Sequence, residues 1–185
     1  GELLNDLPVT VDVTFSQPPM RPFVEAEALT LNGVPATFVT RPSETVYRFY
    51  LPESVELEGT NTIEMAAGAI QTLVGVPLGP FTTQFELDQT PPTVIESSIL
   101  EGDVVPAGDT TIVVKFSEPV SATGLTSGLF TKLNTTAIES STSYNPLTQE
   151  LTLVYAGLAE GSYTFTLDDQ YSSHYIRDVA GNILD

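Results

Sequence analysis

The sequence is organised around Asp88-Gln89-Thr90-Pro91-Pro92-Thr93, a stretch near the middle of the 185 residues. Each proline fixes its own φ and restricts the preceding residue to extended conformations. A Pro-Pro step therefore cannot continue a helix and donates no hydrogen bond to a sheet. The stretch predicts a short, stiff, extended connector between two parts of the chain.

Similar sequence recurs in the same order on both sides of this connector. Phe15 and Phe116 are 101 positions apart, Gly59 and Gly161 are 102 apart, and Gly75 and Gly181 are 106 apart. The matched segments are Val9–Pro18 with Thr110–Pro119, Leu57–Ile63 with Ala159–Phe165, and Leu73–Leu78 with Val179–Leu184. The slowly growing offset predicts two homologous units, 1–88 and 89–185, with small loop insertions.

Composition limits the classes of protein and partner. Hydrophobic residues make up 41% of the chain, which is enough for a core in each unit. The net charge of −18 argues against nucleic acid and anionic membrane surfaces as partners. Cysteine is absent, which excludes disulfides and thiolate metal sites. No long apolar run is present to insert into a membrane, and we expect the chain to be cut from a longer protein.

Short alternating segments predict strands rather than helices. In the first unit, Tyr47, Phe49 and Leu51 point to one side of a strand. Asn32-Gly33 predicts a hairpin between strands at 28–31 and 36–40. The other inward positions expected are Val9, Val11, Val13, Phe15, Ile63 and Met65, then Ile112, Val114, Phe116, Leu151, Leu153, Tyr155, Tyr163, Phe165 and Leu167. No helical stripe of ten residues occurs, so we predict an all-β sandwich, with a polar loop at 168–178 and a short helical turn at 121–127.

Three motifs of the second unit resemble the bacterial Ig-like family of S-layer and other large surface proteins. They are Phe116-Ser117-Glu118-Pro119-Val120, Leu158-Ala159-Glu160-Gly161-Ser162-Tyr163-Thr164 and Asp178-Val179-Ala180-Gly181-Asn182. The resemblance implies two tandem Ig-like β-sandwich modules joined by the Pro-Pro linker. It further implies a non-catalytic spacer or adhesion segment of a secreted or cell-surface bacterial protein, whose partners are neighbouring Ig-like modules and another protein or a glycan.

The first unit matches the family pattern less closely. Gln17 stands in place of Glu118, Thr72 in place of Asp178, and Val76 in place of Asn182; Asn61 corresponds to Tyr163. We therefore expect any site built from these polar residues to lie in the second unit.

Calcium is the chemical alternative to a purely structural role. Calcium takes six to eight oxygen ligands, several of them carboxylates. Glu118, Asp178 and Asn182 are the candidate ligands, with Asp88 at the junction. The competing interpretation is that Asp178 and Asn182 cap a turn through side-chain to backbone hydrogen bonds.

Other candidate residues point to weaker alternatives. His174 is the only histidine and stands in a polar loop without a nucleophile elbow, and Asp168-Asp169 is an adjacent carboxylate pair, so we expect no catalytic site. Tyr50, Tyr171 and Tyr175 are candidates for stacking on a glycan. Tyr163 is either a tyrosine corner or a core residue.

The segments next to the chain ends predict incomplete modules. A strand at 81–87 follows the Gly75 motif, whereas only 182–185 follow the Gly181 motif. The strand at 93–98 precedes the Phe116 strand, whereas 1–7 make a poor strand. We predict that the first module lacks its first strand and the second lacks its last, which leaves unpaired sheet edges.

Overall fold

A computed structural model describes residues 3–19, 24–53, 58–121, 125, 131–134, 141–167, 170–171 and 174–185. The chain divides into two compact units, Gly1–Gln89 and Thr90–Asp185. Pro92 is buried in the second unit, and its carbonyl accepts a hydrogen bond from the Asp185 amide at 3.0 Å. Within the described ranges, no helix has both the length and the apolarity needed to cross a bilayer.

The first unit is a β-sandwich. Its strands are β1 Leu3–Leu4, β2 Thr10–Thr14, β3 Thr30–Leu31, β4 Val34–Pro35, β5 Phe38–Thr40, β6 Val46–Tyr50, β7 Gly59–Met65 and β8 Phe81–Leu87, with a 3-10 turn at Ala26–Ala28. One sheet has the order β1-β8-β7-β3-β4 and the other β2-β6-β5. Leu31, Ile63 and Phe85 from the first sheet pack with Tyr47 and Phe49 from the second to form the core.

Alternation along β6 shows why the sequence folds this way. Tyr47 and Phe49 are buried, whereas Arg48 points outward. The Arg48 guanidinium donates to both carboxylate oxygens of Asp12 on the neighbouring strand, at 2.7 and 2.8 Å. This hydrogen bond and the positive charge hold the pKa of Asp12 below its usual value.

The second unit has the same kind of core between its sheets. Its strands are β9 Val94–Ser97, β10 Gly108–Phe116, β11 Thr131–Leu133, β12 Ser141–Asn145, β13 Glu150–Leu158, β14 Phe165–Leu167, β15 Gln170–Tyr171 and β16 His174–Tyr175. The main sheet has the order β12-β13-β10-β9, and β11 pairs with β14. Tyr155, Phe116 and Leu153 are among the most buried side chains, at 1%, 0% and 0% exposure.

The two units share strand pairing and register. Val13 pairs with Tyr47 in β2–β6, and Val114 pairs with Leu151 in β10–β13. The amide of Phe15 donates to Thr45 and that of Phe116 to Gln149, at 2.8 and 3.0 Å. In the sheet that faces these pairs, Leu31 of β3 pairs with Ile63 of β7 in the first unit, and Leu133 of β11 pairs with Phe165 of β14 in the second. Phe15 and Phe116 therefore occupy the same place in their units, as the sequence predicted.

The units differ at two sheet edges. In the second unit β9 pairs with β10, whereas among the described residues of the first unit only β6 pairs with the corresponding β2. In the first unit β8 pairs with β7, whereas β14 pairs only with β11 within the described part of the second. Leu3–Leu4 is nevertheless a strand, which pairs in parallel with β8.

Several local predictions need correction. The Asn32-Gly33 hairpin is confirmed, but it joins β3 to β4; the chain then crosses to the other sheet, where the Thr37 amide bonds Tyr50. Val9 is 68% exposed and Tyr163 is 41% exposed, so neither points into the core. The predicted loop at 168–178 contains the short β15–β16 hairpin. Most of the predicted turn at 121–127 lies outside the described residues, as do 137–140 and the Asp168-Asp169 pair.

Candidate functional site

The predicted site residue Asp178 begins a tight turn in the second unit. Its amide bonds the Asn182 carbonyl and the Leu184 amide bonds the Ile176 carbonyl, each at 3.0 Å. Gly181 has a φ of +108°, a conformation that favours glycine. These bonds bring Asp178 and Asn182 together in one turn.

The Asp178 carboxylate is almost fully buried, at 3% exposure, and is well supplied with donors. Its Oδ1 accepts from the amides of Gly181 and Asn182, the latter at 2.8 Å. Its Oδ2 accepts from Asn182 Nδ2 at 2.8 Å. A buried carboxylate needs such partners, so turn capping, one of the two interpretations of this motif, is what the geometry shows.

Glu118 lies close to this turn. It follows β10 and is half-buried, and Val120, two residues later, bridges to Asp178. A carboxylate oxygen of Glu118 lies within 4.8 Å of one from Asp178. Since calcium–oxygen distances are about 2.3–2.6 Å, two ligands of one ion can stand that far apart. The structure thus brings all three predicted ligands of the second unit together. Asp88 is part of the first unit, and its amide donates to the Leu4 carbonyl at 2.8 Å.

Comparison with protein families finds one that matches this unit. The family described as bacterial Ig-like domain matches residues 88–185, more than half of the chain. The chain belongs to the bacterial Ig-like domain family. The match includes the Glu118, Tyr163 and Asp178 motifs that carried the resemblance.

Comparisons with individual proteins give little beyond the bacterial Ig-like assignment. A search of curated proteins finds no match. Among solved structures, one similar chain is SGBP-B of the Bacteroides ovatus mixed-linkage glucan utilization locus, solved in complex with a mixed-linkage heptasaccharide. Its identity to this sequence is 19% and the TM-score is 0.27, over 95% of this chain and 39% of that chain. The present chain therefore spans well under half of that structure.

The first unit has the same turn with different side chains. The Thr72 amide bonds the Val76 carbonyl and the Leu78 amide bonds the Ile70 carbonyl, at 2.8 and 2.9 Å. The hydroxyl of Thr72 accepts from the Val76 amide at 3.1 Å in place of the carboxylate. Because Val76 has no polar side chain, the acidic arrangement of this bacterial Ig-like turn is confined to the second unit.

The side-chain contacts of two asparagines were not predicted from the sequence, although Asn32 was part of the predicted hairpin. Asn32 and Asn134 have φ of 49° and 52° and follow β3 and β11. Asn32 Oδ1 accepts from the Thr62 amide, and Asn134 Oδ1 from the Thr164 amide, both at 2.8 Å. The signal was the Leu-Asn dipeptide repeated 102 positions apart, at 31–32 and 133–134. Each asparagine thus connects corresponding strands in its own unit.

The position shared by Asn61 and Tyr163 is used differently in each unit. Asn61 is fully buried and donates to the Gly59 carbonyl at 2.9 Å, while its Oδ1 accepts from Asn32 Nδ2 at 2.8 Å. The Tyr163 hydroxyl donates to the Ala159 carbonyl at 3.1 Å. This is the tyrosine-corner contact, so of the two predicted roles the structure shows this one.

The remaining candidates are dispersed. Tyr50 is half-buried and lies 5.7 Å from Phe38, between ring centroids, on the outer face of its sheet. Tyr175 is half-buried with the Arg177 guanidinium 5.4 Å from its ring centroid. The side chains of Tyr171 and His174 lie outside the described part of the molecule. Predictions that depend on those two side chains stay predictions.

Proposed function

We propose that the chain consists of two tandem bacterial Ig-like modules that act as a non-catalytic spacer or adhesion segment of a large secreted or cell-surface bacterial protein. The shared register of the two units supports the tandem arrangement. So does the use of Asn32 and Asn134 at corresponding positions for the same backbone contact. In both units, polar side chains in matching loops bind backbone groups, a structural use rather than a catalytic one.

The observation that carries this proposal is the arrangement of the first and last segments of the first unit. β1 runs parallel to β8, with Leu3 opposite Glu86 and Leu4 opposite Leu87. The Asp88 amide adds a hydrogen bond of 2.8 Å to the Leu4 carbonyl. Parallel neighbours place the start of β1 and the end of β8 at opposite ends of the pair.

The second unit joins its outer segments in the same sense. Asn182 Nδ2 contacts the Thr90 carbonyl at 3.4 Å, and the Asp185 amide donates to the Pro92 carbonyl at 3.0 Å. The first contact joins 90 to 182 and the second joins 92 to 185, so the residue number rises in both segments and the two segments run in the same direction. A pull on the two ends of either unit therefore slides these segments along each other.

This geometry suits a segment that bears tension. Hydrogen bonds between sliding segments are loaded together and must break together, whereas an antiparallel hairpin pulled from its open end loses its bonds one at a time. We expect each unit to unfold at a higher force when pulled through its ends than when pulled across a hairpin.

Single-molecule force spectroscopy tests the proposal. Because the chain has no cysteine, handles can be attached at unique introduced cysteines. Pulling the full chain end to end should give two unfolding events, each releasing about 30 nm, for roughly 90 residues at ~3.5 Å each. The control pulls the first unit from Glu58→Cys and Asp88→Cys, next to the paired Gly59 and Leu87 at the open end of the antiparallel β7–β8 pair. Equal forces in the two geometries would contradict the spacer function.

Calcium binding in the second unit is a second candidate function. The Glu118–Asp178 proximity favours it. A carboxylate offers about four acceptor positions, and the described contacts of Asp178 use three. A ligand that binds only the native state raises the melting temperature. Millimolar calcium should then raise it relative to chelator at matched ionic strength, and Glu118→Gln should abolish the difference; identical melting would end this candidate.

Glycan binding is the other alternative, and one surface favours it. Phe38 is 59% exposed and pairs with Tyr50 on the outer face of its sheet, beside the Arg48–Asp12 ion pair. Exposed aromatic rings stack on sugar faces, and planar polar pairs bind hydroxyls. A glycan array with wild type and Phe38→Ala decides it, since signal lost in the variant would support a site and an array without signal would remove it.

A further inference from the structure

The outer edge of β14 lacks the neighbour that its counterpart has. β7 is covered along its whole length by β8, from Gly59 opposite Leu87 to Met65 opposite Phe81. β14 corresponds to β7, because Phe165 lies opposite Leu133 as Ile63 lies opposite Leu31, and each of these leucines precedes one of the two asparagines, Asn134 and Asn32. Within the described residues of the second unit, no strand pairs with the other side of β14.

The backbone contacts show which groups face this edge. The Asn134 amide donates to the Thr164 carbonyl at 2.9 Å, and the Thr164 amide donates to Asn134 Oδ1 at 2.8 Å. Thr164 therefore directs both backbone groups toward β11. Because directions alternate along an antiparallel strand, Thr166 does the same, whereas Phe165 and Leu167 direct their N–H and C=O groups to the open edge.

Side-chain burial also differs between the two strands. Asn61, Ile63 and Met65 of β7 are 0%, 5% and 4% exposed. Their counterparts in the second unit are Tyr163, which is 41% exposed, and Phe165 and Leu167, which are half-buried. In the first unit the cover comes from β8, whose Phe85 and Leu87 are 6% and 2% exposed. In the described part of the second unit, main-chain partners and apolar cover are thus both missing at this edge.

We propose that this edge binds an extended polypeptide strand, antiparallel to Phe165–Leu167, with large apolar side chains spaced as Phe85 and Leu87 are. Alternating N–H and C=O groups along an edge match the spacing of another extended main chain, which favours a polypeptide strand over a sugar or a lipid. Because Phe85 lies opposite Asn61 in the first unit and Tyr163 corresponds to Asn61, the side chain of the bound strand that corresponds to Phe85 lies opposite Tyr163. The net charge of −9 on 89–185, from 12 acidic and 3 basic residues, favours a strand without further acidic residues.

The test adds the strand to the full chain. Leu184 corresponds to Leu78 and Asp185 to Gly79 at the offset of 106, so a copy of 80–88 is fused directly after Asp185. A tethered strand has a high effective concentration at the edge, which offsets the repulsion between its two acidic residues and the acidic second unit. The melting temperature of the second unit should rise by about 5 °C or more. Amide exchange should slow about tenfold or more at Phe165 and Leu167, and by a clearly smaller factor at Thr164 and Thr166, which already bond β11.

The control extension carries Phe85→Asp and Leu87→Asp in the copied segment, and it should leave melting and exchange as in the unextended chain. Three results would overturn the proposal. Phe165 and Leu167 amides already protected at low concentration would show that the chain itself covers the edge. Protection that grows with concentration, together with dimers in sedimentation, would assign the edge to a second copy. An extension that stays mobile and changes neither melting nor exchange would show that the edge takes no strand.

Discussion

Asp178 has a buried carboxylate whose described hydrogen bonds stay inside its own turn. Replacing it with alanine removes the acceptor of two backbone amides and one of the acceptors of the Asn182 side chain. Such losses cost about 1–3 kcal/mol for each unsatisfied group and are not additive. We predict that Asp178→Ala destabilises the second unit by about 3–4 kcal/mol, measured by urea unfolding with amide NMR signals resolved for each unit.

Matched variants separate capping from charge. Asp178→Asn keeps one oxygen acceptor and should cost about half as much, since a neutral acceptor is weaker. Thr72→Ala, at the corresponding turn of the first unit, removes one neutral hydrogen bond and should cost about 1 kcal/mol. A loss for Asp178→Ala no larger than that for Thr72→Ala would contradict the capping role.

Tyr155 has a hydroxyl that is buried without a hydrogen-bond partner of normal geometry in the described part of the chain. Burial raises the pKa of Tyr155, and the neighbouring Thr131 side chain acts in the opposite direction. The native state therefore keeps the proton where the unfolded chain releases it, so stability falls as the pH rises above about 10, the unfolded value. Tyr155→Phe should be more stable than the wild type by roughly 1 kcal/mol at neutral pH. Above about pH 10 the variant should lose less stability than the wild type does, and a larger loss in the variant would refute this.

At the scale of strands, the asparagines after β3 and β11 fasten one strand to the next. Asn32→Ala and Asn134→Ala each remove a side-chain acceptor and place alanine at positive φ. We predict a loss of about 2 kcal/mol in each unit. Glycine at either position should recover part of the loss, since it tolerates the conformation. Equal stability of the alanine and glycine variants would show that the backbone conformation plays no part.

Some elements followed from the sequence and others could not. Alternation placed Tyr47 and Phe49 correctly because a half-buried strand has a period of two. Tyr163 fits the same pattern but precedes β14 by two residues, and its hydroxyl donates to the Ala159 carbonyl. The partner of Asn134 is 30 residues away, and such distant contacts leave no local pattern. The Glu118–Asp178 proximity was anticipated only through the family motifs.

At the scale of the whole molecule, charge opposes compactness. The net charge of −18 is shared equally, since 1–88 and 89–185 each carry 12 acidic and 3 basic residues. Repulsion among them falls as salt shortens the screening length from about 10 Å at 0.1 M to about 3 Å at 1 M. We predict that sodium chloride raises the melting temperatures of both units, measured by calorimetry. A decrease with salt would mean that ion pairs such as Arg48–Asp12 outweigh the repulsion.

The Asn32-Gly33 turn also exposes the protein to chemical ageing. The Gly33 backbone nitrogen can attack the side-chain carbonyl carbon of Asn32 and expel ammonia, which forms a cyclic imide; water then opens the imide to aspartate or isoaspartate. In the native state, the Thr62 amide and Asn61 hold the Asn32 side chain, which slows that attack. Once converted, an oxygen would face Asn61 Oδ1 where a donor stood, and the first unit would weaken. Mass spectrometry of stored protein should find the conversion at Asn32 sooner than at Asn134, which precedes threonine, and sooner in urea than in native buffer.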